Sequence, residues 1–308
     1  MSGDYADGVP VHLNLEEFSR EDNKEVLFYG YNSVQNDQLQ RQYSHYERKV
    51  YLNLATPTDF LNDGDGKGRN ALDQVEYFDE IYTICPYTIE WHRTVHQDGR
   101  YRYIFHPYDG SYSPSSYDKE VDVCYFGGIH GPYHEEMVRA MTNFNHRIMS
   151  MHHHPRVTHL NVPHRKKLDL IATSKISLCC NLLPMENKHI IPIFRDYPQW
   201  RENKAFVYAE KYLCPQYKCR AAEAAFCKSL LLVRKDPWNL IEHYFVPNEE
   251  FLYYENEKDL KKKIETVLNN YEDYKEMIEK AYLRSLNYKS KPLVDIIRNK
   301  KEWSHLND

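Results

Sequence analysis

No stretch of the 308-residue chain approaches the run of about 18 apolar residues that a membrane-spanning helix needs, so no transmembrane segment is expected. The opening residues, MSGDYADGVPVHLNLEEF, lack the basic and apolar regions of a secretory leader, and a cytoplasmic location is expected. The seven cysteines (Cys85, Cys124, Cys179, Cys180, Cys214, Cys219 and Cys227) contain no C-x-x-C pair, and an odd set lying mostly in apolar runs reads as reduced thiols. A basic excess is missing too. The net charge of −5 argues against a general nucleic-acid binder, and no nucleic-acid partner is expected. No internal repeat is visible.

What is present suits an α/β protein. A chain of this length with 42% hydrophobic content has room for two domains, each with its own core. Runs rich in β-branched and aromatic residues at 25–31, 49–54, 80–85 and 102–106 predict strands, and Pro86 opens a predicted helix over 87–95. After an irregular lead-in over 1–22, these elements imply a first domain, 1–118, built as a small α/β layer on a parallel sheet. Polar residues 32–47 allow a helix, and glycine at every second position from Gly64 to Gly68 makes 59–70 a loop. The Pro-, Ser- and Gly-rich segment from Pro107 to Lys119 has the composition of a connection, with the boundary near Asp118. The second domain, 119–287, opens as a strand over 121–126, the Gly127-Gly128 turn, and an amphipathic helix over 134–144. A helix over 166–174 and a strand over 175–181 follow, then a long irregular insertion over 182–213. Helices over 259–268 and 271–286 close this domain, and a tail, 288–308, carries one more. The 27 tyrosines offer rings with an apolar face and a hydroxyl, which suits sugar binding, though filling cores and surfaces is their commoner use.

The densest chemical signal lies between Tyr212 and Tyr254. Lys218 and Arg220 stand at the start of a short predicted helix that runs into an apolar strand, a placement that favours a bound anion. Glu223, one turn on, is a carboxylate able to accept hydrogen bonds from sugar hydroxyls. The alternative is an exposed i, i+3 ion pair worth only ~0.3 kcal/mol. The Gly127-Gly128 turn lets backbone approach a ligand, with His130, Tyr133 and His134 just after it, or it simply turns the chain. Arg165-Lys166-Lys167 either helps neutralise an anion or forms a solvated helix end. The triple histidine His152 to His154 has no cysteine or carboxylate at ligand spacing, and Asp63-Gly-Asp65-Gly lacks the remaining EF-hand positions, so no metal site is expected.

The order Gln216, Lys218, Arg220, Glu223, Ala224, the strand over 230–233, the Phe245-x-Pro turn, Glu250, Tyr253, Tyr254 and Asp259-Leu260 resembles the C-terminal half of GT-B glycosyltransferases. Within them it is most similar to the CgeB and spore-coat type of group 1 enzymes, and more loosely to exostosin-type ones. One departure is Lys228, near where these proteins usually have glycine. The resemblance implies two Rossmann-like α/β domains facing a cleft, with a C-terminal helix crossing back to the first domain. It implies a nucleoside diphosphate sugar, GDP- or UDP-linked, as co-substrate, a glycan or glycoprotein acceptor, and no cofactor or required metal. Donor-binding residues are then expected at Gly127, Gly128, His130, Tyr133, Arg165, Gln216, Tyr217, Lys218, Arg220 and Glu223. Cys180 and Leu182, past the carboxyl end of a strand, are expected to line the base. A proton-accepting residue, if the reaction needs one, is sought among Asp37, Asp59, His106 and Asp109, with Asp59, His106 and Asp109 preferred. A noncatalytic nucleotide-sugar binder and a GT-B-type nucleotide-sugar epimerase are the alternatives.

Overall fold

The computed structural model describes residues 5–6, 9–10, 25–29, 44–54, 78–94, 97–186, 206–208 and 211–303. The chain divides into two compact units. The first holds Met1–Pro107, Met185–Tyr217 and Ser290–Asp308, and the second Tyr108–Pro184 with Lys218–Lys289. Asp37, Asp59, the 59–70 loop and most of 32–47 lie outside the described residues.

In the first unit, β1 (Tyr5–Ala6) pairs antiparallel with β2 (Val9–Pro10). Four parallel strands form its main sheet: β3 (Glu25–Tyr29), β4 (Arg48–Asn53), β5 (Glu80–Thr83) and β6 (Tyr101–Tyr103), in that order. Burial along β5 is continuous rather than alternating, as in a parallel sheet covered on both faces. Helix α1 (Pro86–Thr94) starts at the expected proline, whose missing N–H costs nothing in a first turn. Arg48 grips Glu80 with two hydrogen bonds of 2.9 and 3.0 Å and also donates to Ile297 O at 2.9 Å, which ties the C-terminal segment to this sheet.

The second unit carries six parallel strands. From β7 (Val121–Phe126) the chain passes through α2 (Gly131–Met141) to β8 (His146–Ser150) and β9 (His159–Leu160), then through α3 (His164–Ala172) to β10 (Ser174–Cys179). Strands β11 (Leu182–Glu186), β12 (Phe206–Tyr208) and β13 (Lys211–Pro215) follow, of which β12 and β13 lie in the first unit and pair antiparallel. Helix α4 (Arg220–Phe226) leads into β14 (Leu230–Arg234), and β15 (Leu252–Tyr254), α5 (Glu257–Asn269) and α6 (Lys275–Ser285) complete the unit. The sheet order is β15-β14-β10-β7-β8-β9. Its core packs Val123, Tyr125, Ile176, Leu178 and Leu232 against Met137 and Met141 of α2 and Leu260 and Ile264 of α5.

Sequence and structure part in three places and agree on the tail. The change-over between units falls at Pro107–Tyr108, ahead of Asp118, because Tyr108 is fully buried beside Phe226 and bridges to Lys289. The tail helix α7 (Ser290–Arg298) belongs to the first unit, as the resemblance implied of a C-terminal helix. The insertion expected to be irregular contains β11, β12 and β13. Strand β8, HRIMS, had no clear signal because its flanking histidines and serine mask a short apolar centre.

Lys228 occupies the position where a glycine was expected and adopts the left-handed conformation, φ 53°. Its N–H donates to Ala225 O at 2.9 Å and that of Ser229 to Ala224 O at 3.1 Å, the paired bonds of a Schellman C-cap. The conformational cost is offset by its ammonium, 2.7 Å from Glu279 and 4.3 Å from the centre of the Tyr282 ring. Lys119 caps two helix ends at once, donating from Nζ to Ala172 O at 2.7 Å and to Lys228 O at 2.8 Å. Burial draws its pKa down to about 8. Lys119→Met removes the donor for both carbonyls and is expected to cost about 1–3 kcal/mol in urea unfolding. A change within experimental error would show that water replaces the ammonium.

Candidate functional site

The site begins where β7 ends. Gly127 has φ 137°, a conformation that side chains disfavour, and its N–H is committed to Met149 O at 3.0 Å. A Cβ at Gly127 would stand 2.6 Å from Arg220 Nη2. Glycine is therefore there for room: a guanidinium fills the place where a side chain would begin. Arg220, the first residue of α4, donates from Nη1 to Tyr125 Oη at 2.7 Å, and Tyr125 Oη donates to Gly128 O at 2.6 Å. Burial pushes the Tyr125 phenol up to about 12, so it stays a neutral donor and orients the arginine. The guanidinium carbon lies 5.3 Å from the Tyr125 ring centre. Among the described residues Tyr125 is the only hydrogen-bond partner of Arg220, and no carboxylate pairs with it. Most of its five N–H donors are thus available to an anion.

Two histidines face this arginine. The His130 ring covers Gly128 so closely that a Cβ there would fall 2.0 Å from Nε2. Its ring centre is 5.7 Å from that of His152 and 6.3 Å from that of His134. His134 donates from Nδ1 to His130 O at 2.7 Å, since a carbonyl can only accept. Burial first, then the positive charge of Arg220, pulls His134 down to about 4; burial, His152, Arg220 and Lys218 lower His130. The Lys218 and Arg220 charges thus act on both imidazoles in the same direction.

That shift has a sign. Between pH 6.5 and 4 the unfolded chain binds a proton at residue 134 that the folded chain refuses, so His134 subtracts stability as pH falls, by up to about 3 kcal/mol. Asp236, buried and raised to about 6, acts oppositely in the same window. The test is consequently a difference. His134→Asn keeps a donor for His130 O without titrating, and its stability relative to wild type is expected to improve steadily from pH 6.5 to 4. Parallel pH curves would contradict a buried neutral His134.

Glu223 does not share Arg220's surroundings. It is 1% exposed, and Lys167 Nζ donates to its two oxygens at 2.8 and 2.9 Å. His164 Nδ1 lies 3.9 Å from Oε1, and the same imidazole interacts with the backbone and charge of Asp109, whose carboxylate accepts from Ser111 N–H at 2.9 Å. Burial and Lys167 together lower the pKa of His164. A chain Asp109–His164–Glu223–Lys167 thus runs beside the arginine site. The carboxylate oxygens retain lone pairs, but a lysine already occupies their open side.

The other expected residues are more dispersed. Arg165 is exposed, its guanidinium 5.6 Å from the Tyr112 ring, and Lys167 is the member of that basic run that points inward. Tyr133 stacks with Arg234, 4.4 Å from its ring centre, while Arg234 pairs with Glu136 at 2.9 Å. Cys180 and Leu182 are buried in the core of the second unit. Gln216 and Tyr217 are buried in the first unit, as is His106, whose ring lies 6.4 Å from that of Tyr217. Among the described residues no three His, Cys, Asp or Glu side chains gather as a metal site would require. His154 instead meets Glu135 at 3.1 Å. Tyr125 and His164 were not singled out in the sequence, and Lys167 was named only as part of a basic run. Tyr125 looked like one more core residue of an apolar strand, and the approach of His164 and Lys167 to Glu223 is a contact across the chain that spacing does not reveal.

A family model described as glycosyl transferase-like matches residues 129–290. No curated protein sequence matches the chain. Among solved structures, sucrose-phosphate synthase from Thermosynechococcus elongatus is 9% identical, with a TM-score of 0.57 over 92% of this chain and 74% of that one. HepE from Anabaena, in complex with UDP-glucose, is 11% identical, with a TM-score of 0.55 over 89% and 78%. TarM of S. aureus is 11% identical at a TM-score of 0.55, and the match over 89% of this chain spans only 54% of TarM. At such identities the likeness is one of fold, and the fold is GT-B.

Proposed function

Because the chain belongs to the glycosyl transferase-like family, we propose that it moves a sugar from a nucleoside diphosphate sugar onto a hydroxyl of a glycan or other acceptor, with the donor diphosphate held at Arg220. The observation that carries this reading is the half-buried guanidinium, oriented by Tyr125 and fitted over Gly127, with no carboxylate partner among the described residues. In the reaction the acceptor oxygen forms a bond to the anomeric carbon while the bond from that carbon to the phosphate oxygen breaks. The electron pair leaves with the nucleoside diphosphate, and the acceptor loses its proton. Negative charge grows on the departing oxygen, where Arg220 and Lys218 stabilise it more in the transition state than in the ground state. Side-chain cations supply this charge, so turnover is expected to persist in a chelator.

A panel of UDP- and GDP-sugars tests the reading by thermal shift, since a ligand of the folded state raises the melting temperature by mass action. One donor is expected to stabilise the protein and to release its nucleoside diphosphate in the presence of hydroxyl acceptors. Failure of every nucleoside diphosphate sugar to bind would refute the assignment. Donor interconversion without an acceptor would instead reveal an epimerase.

A further inference from the structure

Asn181 follows the carboxyl end of β10, the strand adjacent to β7 whose own end forms the Gly127 turn. It is 1% exposed, and among the described residues neither its amide nitrogen nor its amide oxygen has a hydrogen-bond partner. Buried amides are almost always satisfied, so one with both groups unmet lowers stability and calls for an explanation. A second orphan lies in the same region. The hydroxyl of Tyr254, a fully buried residue at the end of β15, also lacks a partner among the described residues. The sheet register sets them two strands apart with β14 between: Cys179 stands opposite Val233, and Arg234 opposite Tyr254. Cys180, next to Asn181, feels the charges of Arg234 and Arg220.

We propose that Asn181 recognises the edge of the donor nucleobase. The inference rests on the donor reading above and adds to it the group that selects a nucleotide over a bare diphosphate. An amide presents one donor and one acceptor in a plane, the complement of the adjacent acceptor and donor on a uracil or guanine edge. A sugar hydroxyl would need no such planar pair. Its chain neighbours Cys180 and Leu182 belong to the apolar core of the second unit, so the amide is a polar, planar group set at the edge of an apolar layer. The position also fits: in an open parallel sheet, ligands lie beyond the carboxyl ends of the strands, and Asn181 is one strand along from the arginine that would hold the phosphates.

Calorimetric titration of the intact chain with UDP, GDP and pyrophosphate separates this claim from the one beneath it. Wild type is expected to bind at least one nucleotide about ten-fold or more tighter than pyrophosphate, a margin typical of a buried polar contact. Asn181→Leu should leave pyrophosphate affinity unchanged, erase that margin, and raise the melting temperature of the unliganded protein by removing the unmet amide. Asn181→Ala, which adds no bulk, should erase the same margin if the leucine variant fails to fold. Nucleotide affinity equal to wild type in either variant overturns the role of Asn181. A wild type that binds pyrophosphate as tightly as both nucleotides also overturns it, while leaving the phosphate site standing. A wild type that binds none of the three removes both.

Discussion

Arg220→Ala is expected to weaken binding of a nucleoside diphosphate about 100-fold, the equivalent of about 3 kcal/mol for charge-assisted hydrogen bonds to phosphate. The fold should survive this change, because Tyr125 keeps its 2.6 Å bond to Gly128 O and the truncated residue leaves no carboxylate unpaired. Affinity and stability therefore separate, which a structural role for Arg220 would not allow. Arg220→Lys provides a graded control. It restores the charge but not the planar fork, so affinity should recover only in part. Titration of UDP and pyrophosphate into the three proteins decides the matter, and equal affinity in wild type and the alanine variant would dissociate Arg220 from any anion.

Much of this arrangement was legible in the residues alone, and the reason differs from part to part. Strands β3 to β7, β10 and β14 were readable because each is a short apolar run bounded by turn residues, whereas β8, β9 and β15 were not, and Pro86 marked the start of α1 directly. Arg220 and the Gly127-Gly128 turn were each visible as local patterns. That a guanidinium fills the space over Gly127 was not, since 93 positions separate the two and only the pairing of β10 with β7 and β14 draws them together. Glu223 illustrates the opposite case. Its spacing from Arg220 suggested one shared ligand, yet the helix delivers Arg220 to Tyr125 and Glu223 to Lys167. Helical spacing says which side chains share a face; it does not say what that face meets. Asn181 was hidden for a related reason, because the last residue of a predicted strand carries no sign of how deeply its amide is buried.

Gly127→Ala should produce the second large effect, and by a different route. A φ of 137° is strained for alanine, at a cost on the order of 1–3 kcal/mol, so a fall in melting temperature is expected. The new methyl would also stand 2.6 Å from Arg220 Nη2, and of the two the guanidinium is the end free to move. Displaced from Tyr125, it loses its aim, and diphosphate affinity should drop nearly as far as in Arg220→Ala. Gly128→Ala is the informative neighbour. Its added methyl would collide with the His130 ring at 2.0 Å, but Gly128 has no positive φ, so the imidazole should swing aside with less loss of stability and binding. A double-mutant cycle makes the mechanism testable: if Gly127→Ala acts through the arginine, adding it to Arg220→Ala should lower affinity no further, whereas losses that add in full would mean that the two residues serve the ligand independently.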